Sequence, residues 1–143
     1  IGIFYSERCT HDHISITKVN RLRKIIIEAS KQSGRIVFPT LKLAENWYDF
    51  LAQCQGNNLN TIIGNLGASK SISDYLINQN LSSLQIVVGP EGDFNDDEKE
   101  QLQSLPRACF LKFSDQILRS ETAALFASIV CVASLESKHE NCY

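Results

Sequence analysis

No apolar run in this chain approaches the ~20 residues that a membrane-spanning helix needs. The first residues also lack the basic segment followed by an apolar stretch that marks a secretory signal. Both absences predict a soluble, cytoplasmic protein with no membrane partner. Paired cysteines are missing too: Cys9, Cys54, Cys109, Cys131 and Cys142 are odd in number and never form a CxxC, which argues against a disulfide framework and a zinc ribbon. Reduced thiols are expected, with Cys131 packing as a small hydrophobe inside its helix. A basic excess is absent, since the formal net charge is −2. Any affinity for RNA must therefore come from local patches or from outside the chain. Neither GxxxxGK[ST] nor GxGxxG occurs, which counts against a plain nucleotide-binding α/β protein. Internal repeats, low-complexity segments and interdomain linkers are lacking as well.

What is present suits one domain of 143 residues, long enough to bury a sizeable core. Ile1 to Tyr5 reads as a strand, and a helix is expected from about Lys18 to Ser33, with Leu22, Ile25, Ile26 and Ala29 on one face and Gly34 as its stop. Ile36-Val37-Phe38 is a short apolar run ended by Pro39, followed by a helix from about Leu43 to Gln53 that turns Trp47, Phe50 and Leu51 inward. Strands are expected at Asn60 to Leu66, Leu84 to Gly89 and Ala108 to Phe113. Helices are expected at Ile72 to Ile77, after the N-cap Asn95 with Glu98 completing a capping box, and from Ser120 to Leu135. Strands alternating with helices predict an α/β fold, a parallel sheet covered on both faces.

The stretch from Leu84 to Leu135 organises the rest. One apolar run ends in Gly89-Pro90-Glu91-Gly92 and a second leads into Ile117-Leu118-Arg119-Ser120-Glu121-Thr122-Ala123. Ligands of open α/β sheets bind outside the carboxyl ends of strands, where these two loops would meet. Glycine permits close backbone approach, proline fixes φ, and the first loop feeds a helix N-terminus, a combination suited to gripping a ligand by backbone amides. Taken alone, the same four residues are an ordinary tight turn. Ile117 and Leu118 either plug the core or wall a flat apolar ligand such as an adenine ring. In the core-plug reading, Arg119 and Glu121 form a surface ion pair of little energetic weight.

Together these segments resemble the RsmE-like 16S rRNA (uracil-N3) methyltransferases of the SPOUT class, whose hallmark is IGPEGG-F followed by L-G-x-R-I-L-R-x-E-T-A. The chain has VVGPEGDF from Val87 to Phe94 and FSDQILRSETA from Phe113 to Ala123. Upstream, Ser6-Glu7-Arg8 matches the family's S-E-R, and the run from Glu28 to Arg35 matches its E-A-x-x-Q-S-x-R. The resemblance implies a C-terminal deep trefoil knot that binds S-adenosylmethionine, and a homodimer with its active site at the subunit interface. The implied reaction is methylation of N3 of one uridine, position 1498, in the 16S rRNA of the small ribosomal subunit. It also implies that the cofactor lies against Leu66, Val88, Gly89, Pro90, Glu91, Gly92, Phe113, Ser114, Ile117 and Leu118.

Uracil N3 is a poor nucleophile until it loses its proton, so the reaction needs a base or an environment that favours the anion, with in-line placement of the methyl donor. Arg119 is the expected stabiliser of negative charge on the uracil, and Glu121 orients it or relays the proton. Alternatively, Glu121 only favours the start of its helix. Arg8, Gln32 and Arg35 stand on segments that resemble the family's RNA-facing surface. Cys9-x-His11-x-His13 fits no usual zinc spacing, and no metal is expected.

Three positions depart from the family's pattern: Asp93 and Ser114 replace glycines, and Gln116 replaces an arginine. Aspartate tolerates a left-handed backbone, so the turn at Asp93 is expected to persist. The family's N-terminal PUA-like barrel, and the first strand and helix of its methyltransferase domain, have no counterpart in residues 1–143. The chain is thus read as a SPOUT methyltransferase domain. The alternative is a degenerate, non-catalytic module that dimerises and binds RNA.

Overall fold

The computed structural model describes residues 1–9, 14–77, 79 and 81–140, with side chains described as far as Glu136. His11, His13 and Cys142 lie outside the described residues. The chain runs β1 (Gly2–Ile3), α1 (Ile16–Gln32), β2 (Lys42–Leu43), α2 (Trp47–Gly56), β3 (Asn60–Gly64), α3 (Ile72–Ile77), β4 (Leu84–Val87), α4 (Asp96–Gln103), β5 (Ala108–Leu111) and α5 (Ser120–Glu140).

The expected parallel sheet is present in two pieces. β3 is the central strand of β4-β3-β5, paired in parallel on both sides, with Ile63 opposite Val87 and Phe110. β1 and β2 pair separately, Ile3 opposite Leu43. Side-chain alternation along β3 divides the core between the two faces of the sheet. Ile63 packs with Phe50 and Cys54 of α2, Leu102 of α4 and Phe94, whereas Ile62 packs with Ile72 and Leu76 of α3 and Ala127 and Cys131 of α5. Both isoleucines are fully buried, each contributing about 1.5–3 kcal/mol by removal from water. Phe4, following β1, stacks on Phe50 with ring centres 3.9 Å apart, which fastens the first strand pair onto the α2 side.

Element ends differ from expectation for local reasons. Helix α1 starts at Ile16 because the Ser15 side chain accepts from Lys18 N–H, and it stops where Gly34 adopts φ +67°. Its inward line runs through Val19, Leu22, Ile26 and Ser30, while Ile25 and Ala29 face solvent. Ile36 and Val37 are exposed, and the strand partner of β1 is Lys42–Leu43, beyond Pro39. That strand delays α2 to Trp47, where Asn46 caps it by accepting from Asp49 N–H at 2.9 Å. Trp47, Phe50 and Leu51 do turn inward, with the Trp47 indole donating to Gln101. The capping box of α4 is as expected, Asn95 and Glu98 exchanging their bonds.

Candidate active site

The carboxyl ends of β3, β4 and β5 deliver three loops to one cavity of about 280 Å³. Gly64, Asn65 and Leu66 come from the end of β3. Val88 to Glu91 and Asp93 come from the loop after β4, and Phe113, Ser114 and Gln116 to Leu118 from the loop after β5. Ser120 and Ala123 close it from the first turn of α5. Ser120 Oγ donates to the Gly89 carbonyl at 2.8 Å and so ties the second long loop to the first.

Two glycines are needed here for space. A Cβ on Gly64 would stand 2.7 Å from the Phe113 ring, and one on Gly89 would stand 2.9 Å from the ring of buried Phe94. The positive φ of the first loop falls on Asp93, at +60°. Its N–H donates to the Pro90 carbonyl at 3.0 Å, its carboxylate accepts from Phe94 N–H at 2.8 Å, and Lys99 pairs with its second oxygen at 2.8 Å. The turn is thus maintained with aspartate in the glycine position, and Lys99 offsets its charge.

A second clasp holds this loop from outside. The buried Glu98 carboxylate accepts from Glu7 N–H at 2.8 Å and from Asn95 N–H at 2.9 Å, and Asn95 donates to the Glu7 carboxylate. Arg8 Nη1 donates to the Gly92 carbonyl at 3.0 Å. Here the Ser-Glu-Arg segment braces the loop, with Arg8 still exposed to solvent.

Nine of the ten expected cofactor residues line the cavity: Leu66, Val88, Gly89, Pro90, Glu91, Phe113, Ser114, Ile117 and Leu118. Gly92 does not, since it faces Arg8. Gly64, Asn65, Asp93, Gln116, Ser120 and Ala123 were not anticipated as lining residues. Strand-end position could have pointed to the first two, but nothing in the sequence marks Ser120 as the tie to Gly89.

Arg119 and Glu121 flank the cavity without lining it, and both are exposed. Among the described residues neither side chain is in an ion pair, and the two do not pair with each other. Gln32 and Arg35 are exposed at the end of α1 and are not brought to the cavity. On the far side of the loop after β5, Lys112 at 2.6 Å holds the Asp115 carboxyl below its ordinary range by hydrogen bonding and charge. Burial pushes the thiols of Cys54, Cys109 and Cys131 upward, which keeps them protonated and unreactive. Among the described residues no group of three or more His, Cys, Asp or Glu is placed to hold a metal ion. No helix among them is long and apolar enough to cross a membrane.

Comparison with known proteins adds to this geometry. Residues 1–132 match the family model of the RNA methyltransferase domain. Ribosomal RNA small subunit methyltransferase E of Rickettsia conorii is 37% identical over 111 residues, 76% of this chain and 44% of that protein. The enzyme of the same name from Mesomycoplasma hyopneumoniae is 30% identical over 115 residues, 80% of this chain and 48% of that protein. The chain therefore spans about half the length of the curated relatives it matches. Among solved structures, a Legionella pneumophila protein in complex with S-adenosylmethionine superposes with a TM-score of 0.73 at 25% identity, covering 91% of this chain and 53% of that one. Ribosomal RNA small subunit methyltransferase E from Neisseria gonorrhoeae, bound to S-adenosylmethionine, shares the fold with a TM-score of 0.69 at 23% identity, covering 89% and 51%. The match across almost the whole chain, with both hallmark loops meeting at one cavity, places this protein in the RNA methyltransferase domain family, among its RsmE-like members.

Proposed function

We propose that residues 1–143 form a SPOUT methyltransferase domain that binds S-adenosylmethionine in the cavity between the loops and methylates N3 of a uridine in 16S rRNA, the position equivalent to 1498. The observation that carries this reading is the meeting of the loops at Gly89 and Ile117, fixed by the bond from Ser120 to Gly89. The lining fits the cofactor. Leu66, Phe113, Ile117 and Leu118 offer apolar walls for a flat adenine; among the described residues Glu91 and Asp93 are the only charged members of the lining, and with Asp93 paired to Lys99 it is Glu91 that favours a cationic ligand. When bound, S-adenosylmethionine supplies an electrophilic methyl group on a sulfonium. Arg119 would stabilise negative charge on uracil N3 and O4 once the proton leaves, and Glu121 would orient Arg119 or accept that proton. A C-terminal trefoil knot, as in the class, is part of the same proposal.

Homodimerisation is part of the same proposal. Leu125, Ile129 and Val132 follow one another on the outer face of α5 and are half or more exposed, with Glu121 on the same stripe. A second copy covering this stripe would bury it and bring a partner surface against Arg119 and Glu121, which the isolated chain leaves unheld. The rRNA, or the small ribosomal subunit carrying it, is the proposed substrate and S-adenosylmethionine the proposed cofactor.

The test is calorimetric titration with S-adenosylmethionine and S-adenosylhomocysteine alongside the mass in solution, followed by methyl transfer to small-subunit rRNA and mass-spectrometric location of the product. Micromolar binding by a dimer, about −8 kcal/mol, with 3-methyluridine formed, is the expected result. A folded dimer that binds neither ligand would refute the cofactor assignment and leave the non-catalytic module. Arg119→Ala should abolish transfer while cofactor affinity stays unchanged; retained transfer would remove Arg119 from the chemistry.

A further inference from the structure

The charges of this chain are segregated in a way its net value conceals. Seven of the fourteen Lys and Arg stand between Lys18 and Lys42, in the company of one acidic residue, Glu28. Five of the seven are on α1, at Lys18, Arg21, Arg23, Lys24 and Lys31. Helical spacing sorts them. Val19, Leu22, Ile26 and Ser30 point inward, so the face opposite is centred on Arg21, Lys24, Glu28, Lys31 and Gln32, all exposed. Glu28 is taken up by Lys31 at 3.2 Å. Among the described residues Arg21, Lys24 and Arg35 have no ion pair. From Arg21 to Gln32 the stripe runs about 16 Å along the helix. Arg35 continues it just past the helix end, where its N–H is held by the Ser30 carbonyl.

A solvated helix face has no need of such one-sidedness, and five of fourteen cations on one helix of a chain of negative net charge is the electrostatic footprint expected of a polyanion-binding surface. We propose that the outer face of α1, through Arg21 and Lys24 with Arg35 at its end, is a sequence-independent docking strip for the phosphate backbone of RNA. The proposal rests on RNA being the substrate and adds a surface, away from the cofactor cavity, that supplies grip and not chemistry. Arginine forks and lysine point charges at adjacent turns are suited to phosphates, and counterion release makes their effect readable from salt dependence.

The test uses the whole chain and a fluorescent 20-nucleotide single-stranded RNA containing uridines, together with a scrambled version, by anisotropy between 50 and 200 mM salt. Arg21→Ala/Lys24→Ala should weaken both RNAs alike, on the order of tenfold at 50 mM, and lower the slope of log Kd against log salt by about 1.4, roughly 0.7 per lost contact. Lys70→Ala/Arg107→Ala removes the same net charge elsewhere and should leave the slope unchanged. Arg21→Glu/Lys24→Glu should lose RNA binding further while far-UV circular dichroism and S-adenosylmethionine titration match the wild type. If wild type and Arg21→Ala/Lys24→Ala bind RNA with one affinity and one slope, the strip is refuted and the substrate reading stands. If the wild type binds S-adenosylmethionine but ignores RNA, the substrate reading fails and the strip with it. Binding to vesicles of phosphatidylglycerol and phosphatidylcholine, lost in the same variants while RNA binding persists, would transfer the surface to a membrane and overturn RNA as its occupant.

Discussion

Gly89→Ala is the most direct perturbation of the site. The added Cβ would stand 2.9 Å from Phe94 Cε2 and 3.2 Å from two further ring carbons. Phe94 has no room to yield, being 1% exposed and packed against Phe4 and Trp47 with ring centres 6.2 and 5.9 Å away. Overpacking of this kind costs about 1–3 kcal/mol. The alternative, moving the Gly89 backbone, gives up the bond from Ser120 Oγ, about 0.5–1.5 kcal/mol. The less costly of the two routes sets the loss, about 1.5 kcal/mol, against the roughly 5–15 kcal/mol by which a domain is stable. In urea, with a slope of about 1–3 kcal/mol/M, the midpoint should fall by roughly 0.5–1.5 M. Because the same backbone lines the cavity, S-adenosylmethionine affinity should fall as well. Phe94→Leu removes the ring that the new Cβ meets, so the double variant should recover at least about 1 kcal/mol relative to additivity. A Gly89→Ala protein within about 0.5 kcal/mol of wild type, or a strictly additive cycle, would refute the claim that close packing requires glycine here.

Glu98→Ala removes a buried acceptor from Glu7 N–H and Asn95 N–H at once and should cost about 3 kcal/mol in urea unfolding, with Glu98→Gln retaining part of it. Replacing Leu125 and Ile129 with Asp should convert a dimer to a monomer by light scattering without loss of helical signal, since both are already exposed in the single chain. The buried thiols set an alkaline limit. Their folded pKa values lie above the unfolded ones, so their contribution is complete below about pH 8.5 and is lost as pH rises through the raised values. Tm should therefore decline above that pH, and less steeply in Cys131→Val; a flat profile to pH 10 would contradict the burial of these groups.

The separation of what was legible from what was not follows the range of the interactions. The Asn95 and Glu98 capping box was readable because both partners are three residues apart. The periodicity of α3, and the inward turn of Trp47 and Phe50, were readable for the same reason. Strand ends were read too long, at Leu66, Gly89 and Phe113, because an apolar run continues into loops that wall a cavity as easily as into a ladder. The outward turn of Ile25, and the pairing of Lys42–Leu43 with β1 in place of the exposed apolar run at Ile36-Val37, depend on what lies across the fold.

For the site, the sequence by itself determined which two loops matter only when they are taken together: each alone reads as a tight turn or a core plug, and their joint resemblance to the RsmE-like hallmark singles them out. Only the tertiary structure decided that Ser120 locks them together across 31 positions, that Arg8 braces Gly92 across 84, and that Lys99 offsets the charge of Asp93. Such bonds join residues whose separation along the chain carries no periodic signal. They form only after the sheet has brought the ends of β3, β4 and β5 to one place.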